Sequence, residues 1–134
     1  MDIKELEFKR IRLSENATNK CRTFKARTGI TPNIACRLAL GISISETNIP
    51  DINLYADDDS GQEINRYTFL GDHELSLLSL FNMWCHDHEI SSTDYYAYLI
   101  AHINRGVELL VNRVKGIEDL PNLLNEASKM DSRS

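Results

Sequence analysis

The pattern of apolar and polar residues opens with an alternation that starts after the first seven residues. Ile11 and Leu13 fall on one side of an extended segment, while Arg10 and Arg12 fall on the other. This period of two predicts a short strand with one face on a core. The two arginines are expected to point into solvent.

A first helix is predicted from about residue 15 to residue 27. Ser14 breaks the alternation and suits the N-cap position, because its hydroxyl can accept a hydrogen bond from a free amide of the first turn. Gly29 supplies the left-handed residue that ends many helices. The apolar residues at helical spacing are Ala17, Cys21 and Phe24.

A second helix begins with Thr31 as N-cap and Pro32 at the first helical position. Its apolar stripe consists of Ile34, Ala35, Leu38, Ala39 and Ile42. Strand, helix, glycine turn and helix over residues 8–42 is the order of a ribbon-helix-helix unit. In such units two subunits pair their strands into a ribbon, and amides at the start of the second helix, here residues 31–33, hold phosphates.

An acidic loop and a short strand are predicted next. Residues 45–63 contain a proline, a glycine and three adjacent aspartates, Asp57 to Asp59, and are typical of an exposed loop. The aspartates lack the alternate spacing, glycine and terminal glutamate of a calcium loop. Residues 63–71 predict a short strand closed by Gly71. Arg66, the basic residue of this segment, is expected to form a local ion pair.

The helical part spans residues 72–116 and contains two long helices. The first, from about His73 to His88, follows Asp72 as its cap and is expected to bury Leu75, Leu78, Phe81 and Trp84. Its apolar circumference is wide enough to indicate a central position or a subunit interface. The second follows Ser92 as N-cap and ends at Gly116, with apolar positions at Tyr96, Leu99, Ile100, Ile103, Val107, Leu110, Val111 and Val114.

Gly106 interrupts this last helix at a cost of about 1 kcal/mol relative to alanine, so it is expected to permit a close approach of another helix. The expected fold is therefore mainly α. It has a ribbon-helix-helix-like N-terminal unit, two long helices and a short strand in one compact domain of residues 1–120. Residues 121–134 are expected to form a polar tail.

Charge is distributed unevenly along the chain. The 134 residues carry a net charge of −5, yet residues 9–37 hold eight basic residues against one acid, Glu15. Residues 41–134 hold sixteen acids against six basic residues. A basic patch inside an acidic protein indicates a directed interaction with phosphate rather than general adhesion. Charge clusters are nevertheless often no more than the solvated faces of amphipathic elements.

Composition excludes several classes of protein. Three cysteines without paired spacing are typical of a reducing cytosol and argue against a disulfide framework. The sequence lacks a signal peptide and any apolar run of the ~18 residues that a membrane span needs. We therefore expect a cytoplasmic protein. The candidate DNA-binding residues are Lys9, Arg10, Arg12, Lys20, Lys25, Arg27, Thr31, Asn33 and Arg37, and the candidate structural or oligomer-forming residues are Gly29 and Gly106.

Catalytic and metal-binding patterns are scarce. Cys85, His86, His88 and Glu89 are possible ligands, but on a helix the two histidines would point about 200° apart, and no second cluster completes the set. The isolated His73 and His102 are expected at the surface or at an interface. No cofactor, metal or catalytic residue is predicted.

Three segments, TGITPNIACRLAL, EINRYTFLG and AHINRGVELL, resemble the DndE family of DNA sulfur modification proteins from the bacterial DNA phosphorothioation system. They occur in order over about residues 8–120. The resemblance implies a small homotetrameric, non-catalytic subunit that binds duplex DNA, preferably nicked. It also implies partners that insert the sulfur: a cysteine desulfurase, an iron-sulfur protein and an ATPase. The alternatives are a ribbon-helix-helix repressor or a DNA nickase.

Overall fold

The computed structural model describes residues 6–56, 58, 60–115 and 117–119. Its elements are β1 (Arg10–Arg12), α1 (Glu15–Thr28), α2 (Pro32–Ile44), β2 (Glu63–Asn65), α3 (Arg66–Leu70), α4 (Glu74–Asp87) and α5 (Tyr95–Arg113). Single 3-10 turns occupy Ile52–Leu54, Gly71–His73, Ser92–Asp94 and Ile117–Asp119. The mainly helical, single-domain fold class is confirmed. The predicted polar tail, the helix end at Gly116 and the outer aspartates Asp57 and Asp59 lie outside the described residues.

The N-terminal segment forms the strand and the two helices that its sequence predicts. The hydroxyl of Ser14 accepts a hydrogen bond from the amide of Ala17 at 3.0 Å and starts α1. Gly29 ends that helix with a φ of 79°, a left-handed conformation that L side chains rarely adopt. Pro32 is the first residue of α2, as predicted. One face of α1 is buried through Ala17, Cys21, Phe24 and Thr28.

The antiparallel ribbon forms inside one chain. β1 pairs with β2, with Ile11 opposite Ile64 and Arg12 opposite Glu63. Residues 9, 11 and 13 of an extended strand turn their backbone groups to the same side, and here that side faces β2. The ribbon partner is therefore β2 rather than the strand of a second subunit that the ribbon-helix-helix pattern led us to expect.

Side chains of α5 cover the other edge of β1. The carbonyl of Arg10 accepts a hydrogen bond from the phenol of Tyr96 at 2.8 Å. The carbonyl of Arg12 accepts one from the amide nitrogen of Asn104 at 3.4 Å. An edge strand exposes unpaired backbone groups that can recruit another strand. Because donors of α5 occupy these carbonyls, β1 offers a second subunit little to pair with.

The predicted strand over residues 63–71 is only partly correct. It ends at Asn65, whose side chain accepts a hydrogen bond from the amide of Thr68 at 2.8 Å and caps α3. The apolar residues that suggested a strand separate on the short helix, where Phe69 is buried and Tyr67 is 85% exposed. Asparagine is among the strongest N-cap residues, and here its capping bond decides the structure.

Helix α4 buries one face, although not quite the expected one. Leu78, Phe81 and Trp84 lie in the core as predicted. Leu75 does not, because it remains 73% exposed. His73, and not Asp72, precedes the first residue of the helix.

Helix α5 packs against α1, α2 and β1 and forms the centre of the core. Leu99, Ile103, Val107, Leu110, Val111 and Val114 are buried as predicted. Asn104 is buried as well, and its side-chain oxygen accepts a hydrogen bond from the amide of Ser14 at 2.7 Å. Together with its bond to Arg12, this residue fixes the junction between β1 and α1 to the central helix.

His102 was expected at a surface or an interface, but it is fully buried. The hydroxyl of Ser43 accepts a hydrogen bond from Nε of Arg105 at 2.8 Å and lies 2.7 Å from Nδ1 of His102. Ser43 thus joins the guanidinium of Arg105 to the imidazole of His102. Burial, with the nearby Arg105 charge, lowers the pKa of His102 to about 3 and keeps the ring neutral.

Gly106 allows the closest helix contact in this core. A Cβ atom at this position would lie 2.0 Å from the carbonyl oxygen of Ala39 in α2. The helix approach expected at Gly106 is therefore an approach of α2 within the same chain. The contact brings the two backbones together beside the bonds that Arg105 makes to Ser43.

We predict that Gly106→Ala lowers the free energy of unfolding by about 1–3 kcal/mol or more, because the added methyl group overlaps the α2 backbone. Gly41→Ala is the matched control. It lies in α2 with nothing within 4 Å of the new Cβ, so its better helix propensity should stabilise the protein by up to about 1 kcal/mol. Denaturant titration gives both values. Equal effects of the two substitutions would contradict the close helix approach.

Candidate nucleic-acid interface

The two strand arginines share one carboxylate. Nη1 of Arg10 lies 3.4 Å from Oε2 of Glu63, and Nη2 of Arg12 contacts Oε1 of the same side chain. The Arg12 hydrogen bond is the main cause that lowers the pKa of Glu63, so this carboxylate remains ionised. The side chains of Arg10 and Arg12 are 55% and 41% exposed. This arginine pair therefore presents a net charge of about +1 to solvent, held in place by Glu63.

Helix α1 contributes three basic side chains for which the described part of the chain holds no acidic partner. Its buried residues orient Lys25 and Arg27 outward, and Lys20 is partly exposed beside the core face. None of these three forms an ion pair within the described residues, and neither does the exposed Lys9. Lys25 and Arg27 lie in the last turn of α1, where basic residues also stabilise the negative end of the helix dipole.

The start of α2 lacks the side-chain cap that its sequence predicts at Thr31. The hydroxyl of Thr31 donates to the side-chain oxygen of Asn33 and does not cap a helix amide. The carbonyl of Thr31 accepts the amide of Ala35 at 3.0 Å. Thr31 and Asn33 thus bind each other, and their backbone amides are left without a side-chain cap.

Arg37 stabilises the fold through hydrogen bonds to α3. Its Nε donates to the carbonyl of Phe69 at 2.6 Å and its Nη2 to the carbonyl of Thr68 at 3.2 Å. These carbonyls belong to the last turns of α3, where no helix amide follows to satisfy them. Gly71 leaves room for the guanidinium, since a Cβ there would lie 2.6 Å from Nη2. Arg37 therefore joins α2 to α3.

Arg66 forms the local ion pair that the sequence predicts. Its Nη2 lies 2.6 Å from Oε1 of Glu74, and its guanidinium lies 4.6 Å from the centre of the Phe8 ring. Its Nη1 also donates to the carbonyl of Leu6 at 3.2 Å. Arg66 thereby attaches the segment before β1 to the start of α4.

The possible metal ligands do not form a cluster. Cys85 is buried, whereas His86, His88 and Glu89 are exposed, and His88 stacks on Trp84 with 4.4 Å between ring centres. Within the described residues no three histidine, cysteine, aspartate or glutamate side chains gather at one point. No helix in the described part of the chain is long and apolar enough to cross a membrane.

The three cysteines are buried free thiols. Burial raises the pKa of Cys85 to about 12. A hydrogen bond with Cys21, reinforced by burial, raises the pKa of Cys36 well above its ordinary value. These last two thiols are part of the packing between α1 and α2.

A cavity beside the ribbon brings together residues that the sequence did not group. It has a volume of about 500 Å³ and lies between β1, the loop around Tyr55 and the start of α5. Arg10 and Arg12 line one side, and Tyr96 of α5 lines another. The sequence placed Tyr96 on the apolar face of the last helix and Glu63 where the acidic loop meets a predicted strand. It carried no signal that this strand would pair with β1 and bring Glu63 to the two arginines.

Comparison with known proteins gives a family and two similar structures. The profile described as "DNA sulphur modification protein DndE" matches residues 10–117. A crystal structure of DndE from Escherichia coli B7A, involved in DNA phosphorothioation modification, superposes with a TM-score of 0.65 at 24% identity, covering 78% of this chain and 98% of that one. The structure of a DndE mutant involved in DNA phosphorothioation gives 0.62 at 22% identity, covering 78% and 99%. Comparison with curated protein sequences gives no match.

Because Arg37 and Arg27 differ in their contacts, we predict that removing their charges changes the free energy of unfolding by different amounts. Arg37→Met leaves two carbonyls of α3 without a donor and should lower the free energy of unfolding by about 1–3 kcal/mol. Arg27→Met, on the exposed face of α1, should change it by less than about 0.5 kcal/mol. Denaturant titration measures both. A neutral Arg37→Met would show that the guanidinium is free for another partner.

Proposed function

The chain belongs to the DndE family of DNA sulphur modification proteins, and we propose that it is the non-catalytic DNA-binding subunit of a phosphorothioation machinery. In this proposal it holds duplex DNA, preferably at a nick, while partner enzymes insert sulfur. Two observations carry the proposal: the basic side chains of α1 have no acidic partner within the described residues, and β1 presents a pair of arginines. Family membership supplies the reaction to which this surface contributes.

The electrostatics favour a defined DNA surface. The whole chain is acidic, with a net charge of −5, so it would repel DNA without a concentrated basic region. Lys9, Lys20, Lys25 and Arg27 have no acidic partner within the described residues and are available for phosphates. Glu63 holds Arg10 and Arg12 together and competes with phosphate for them, so this pair presents a net charge of about +1 to DNA.

We assign the sulfur chemistry to partners: a cysteine desulfurase, an iron-sulfur protein and an ATPase. A persulfide carrier or nucleophile would need an accessible thiolate. Here the thiols are buried, and the pKa values of Cys85 and Cys36 are raised. Residues 41–134 hold sixteen acids against six basic residues, and we assign the binding of protein partners to this acidic part of the chain.

The rival proposal of a ribbon-helix-helix repressor has less support. Such a repressor needs its strand for a ribbon shared between two subunits. In this chain β2 pairs with one edge of β1, and side chains of α5 cover carbonyls on the other. A repressor would also prefer its operator to random DNA by about 10³-fold or more, whereas the proposed subunit should show little sequence preference.

We predict that Lys20→Gln, Lys25→Gln and Arg27→Gln each weaken binding to DNA of any sequence. Each lost phosphate contact should lower the slope of log K against log salt by about 0.9 on B-DNA. Lys115→Gln changes the net charge equally on an exposed residue outside the basic segment and should have little effect. Titrations of intact, nicked and single-stranded DNA at several salt concentrations measure the effects.

Two substitutions at the arginine pair of β1 are expected to change the affinity for DNA in opposite directions. Arg10→Ala/Arg12→Ala should weaken binding, and Glu63→Gln should strengthen it because both guanidinium groups lose their competing carboxylate. If neither change alters the affinity of a folded protein, DNA does not contact the ribbon. Metal-dependent nicking of supercoiled plasmid by the purified protein would contradict the non-catalytic assignment.

We further propose that the protein assembles into a homotetramer through the outer face of α4. Residues 75–85 contain no charged side chain. Three of their large apolar residues are exposed: Leu75 at 73%, Leu80 at 40% and Met83 at 64%. An apolar helix face of this kind is typical of a subunit interface.

Light scattering should therefore detect a tetramer at micromolar concentration and ordinary salt. We predict that Leu75→Glu/Met83→Glu reduces the mass of the assembly, since two like charges on this face would be desolvated without partners. Leu54→Glu is the control, because Leu54 is 68% exposed in the loop before β2 and away from α4. A monomeric wild-type protein would refute self-association.

A further inference from the structure

The cavity beside β1 has the size and composition of a ligand site. Its volume of about 500 Å³ falls within the range of about 300–1,000 Å³ that small-ligand pockets occupy. Apolar wall atoms come from Ile52 in the 3-10 turn and from Ala97 and Ile100 in α5. A few polar groups surround this apolar wall, an arrangement that fixes the orientation of a ligand.

Two tyrosines give the cavity aromatic walls. Tyr96 is fixed by the hydrogen bond from its phenol to the carbonyl of Arg10 and by Phe8, whose ring centre lies 6.1 Å away. Tyr55 lines the cavity from the loop, and burial raises the pKa of its phenol and keeps it neutral. Neutral aromatic rings of this kind are stacking surfaces for nucleobases.

Two basic side chains and one acidic side chain line the cavity. The basic ones, Arg10 and Arg12, are partly exposed to solvent. Asp58 also lines the cavity, but its carboxylate already accepts hydrogen bonds from the amide of Glu15 at 3.2 Å and from the amide and hydroxyl of Ser60. The carboxylate of Asp58 is thus engaged by the loop, whereas the arginine pair keeps a net charge of about +1 beside Glu63 and forms the cationic wall of the cavity.

We propose that this cavity receives one unpaired nucleotide of a DNA strand, with the base between the tyrosines and its phosphate on Arg10 and Arg12. A base inside a duplex is stacked and cannot enter without unpairing, whereas a nucleotide freed at a nick enters at little cost. The inference rests on the proposed function, because it gives the DNA-binding surface a means to recognise an interrupted strand. The chemistry recognised is that of a nucleoside 5′-phosphate.

The test compares a nicked duplex with the same nicked duplex carrying one extra unpaired nucleotide at the nick. The wild-type protein should bind the second at least about fivefold more tightly, the low end for stacking one base on an aromatic side chain. Ala97→Phe fills the cavity from an exposed position of α5 and should abolish this preference, so that the variant binds both duplexes with the same affinity. His73→Phe adds a ring at an exposed position outside the cavity and should preserve the preference.

Ala56→Phe fills the cavity from the loop and gives the same test if Ala97→Phe does not fold. Salt-dependent DNA binding without a preference for the unpaired nucleotide would overturn this inference and leave the proposed function intact. Failure to bind any DNA would overturn both. If free deoxyadenosine 5′-monophosphate at micromolar concentration removes the preference, the cavity belongs to free nucleotides, and the assignment to a DNA strand is wrong.

Discussion

The fold depends on the docking of the central helix α5 through a short polar segment. Asn104 binds the junction of β1 and α1, while Arg105 binds Ser43 of α2. Gly106 lets the α2 backbone approach to contact distance. Buried polar groups are costly unless every partner is present, so these bonds specify one arrangement of the helices where apolar packing alone would tolerate several.

This docking also determines how the basic surface is presented. Because α5 supplies Tyr96 and Asn104 to the carbonyls of β1, the strand remains inside its own chain and its arginines turn toward Glu63. The same placement brings Tyr96 beside the loop around Tyr55 and creates the cavity. The proposed contacts to DNA are therefore set by the core and not by the ribbon alone.

The segments that carry the family resemblance are mainly segments that hold the fold. In EINRYTFLG, Asn65 caps α3 and Arg66 pairs with Glu74. In AHINRGVELL, His102 and Arg105 meet at Ser43. The basic side chains without an acidic partner in the described residues lie elsewhere, at Lys9 and on α1. A resemblance in these segments therefore identifies the fold. The DNA surface is indicated by the charge and exposure of other residues.

Local signals in the sequence determined the elements of the N-terminal half, since the cap at Ser14, the left-handed Gly29 and the apolar spacing of α1 all act within a few residues. The position of the basic segment also follows from sequence. The partners of the charged side chains do not, because Arg12 meets Glu63 and Arg37 meets Phe69 across large sequence separations. Only the tertiary structure decided which cations hold the fold and which face solvent, because burial and pairing depend on the elements packed around each side chain.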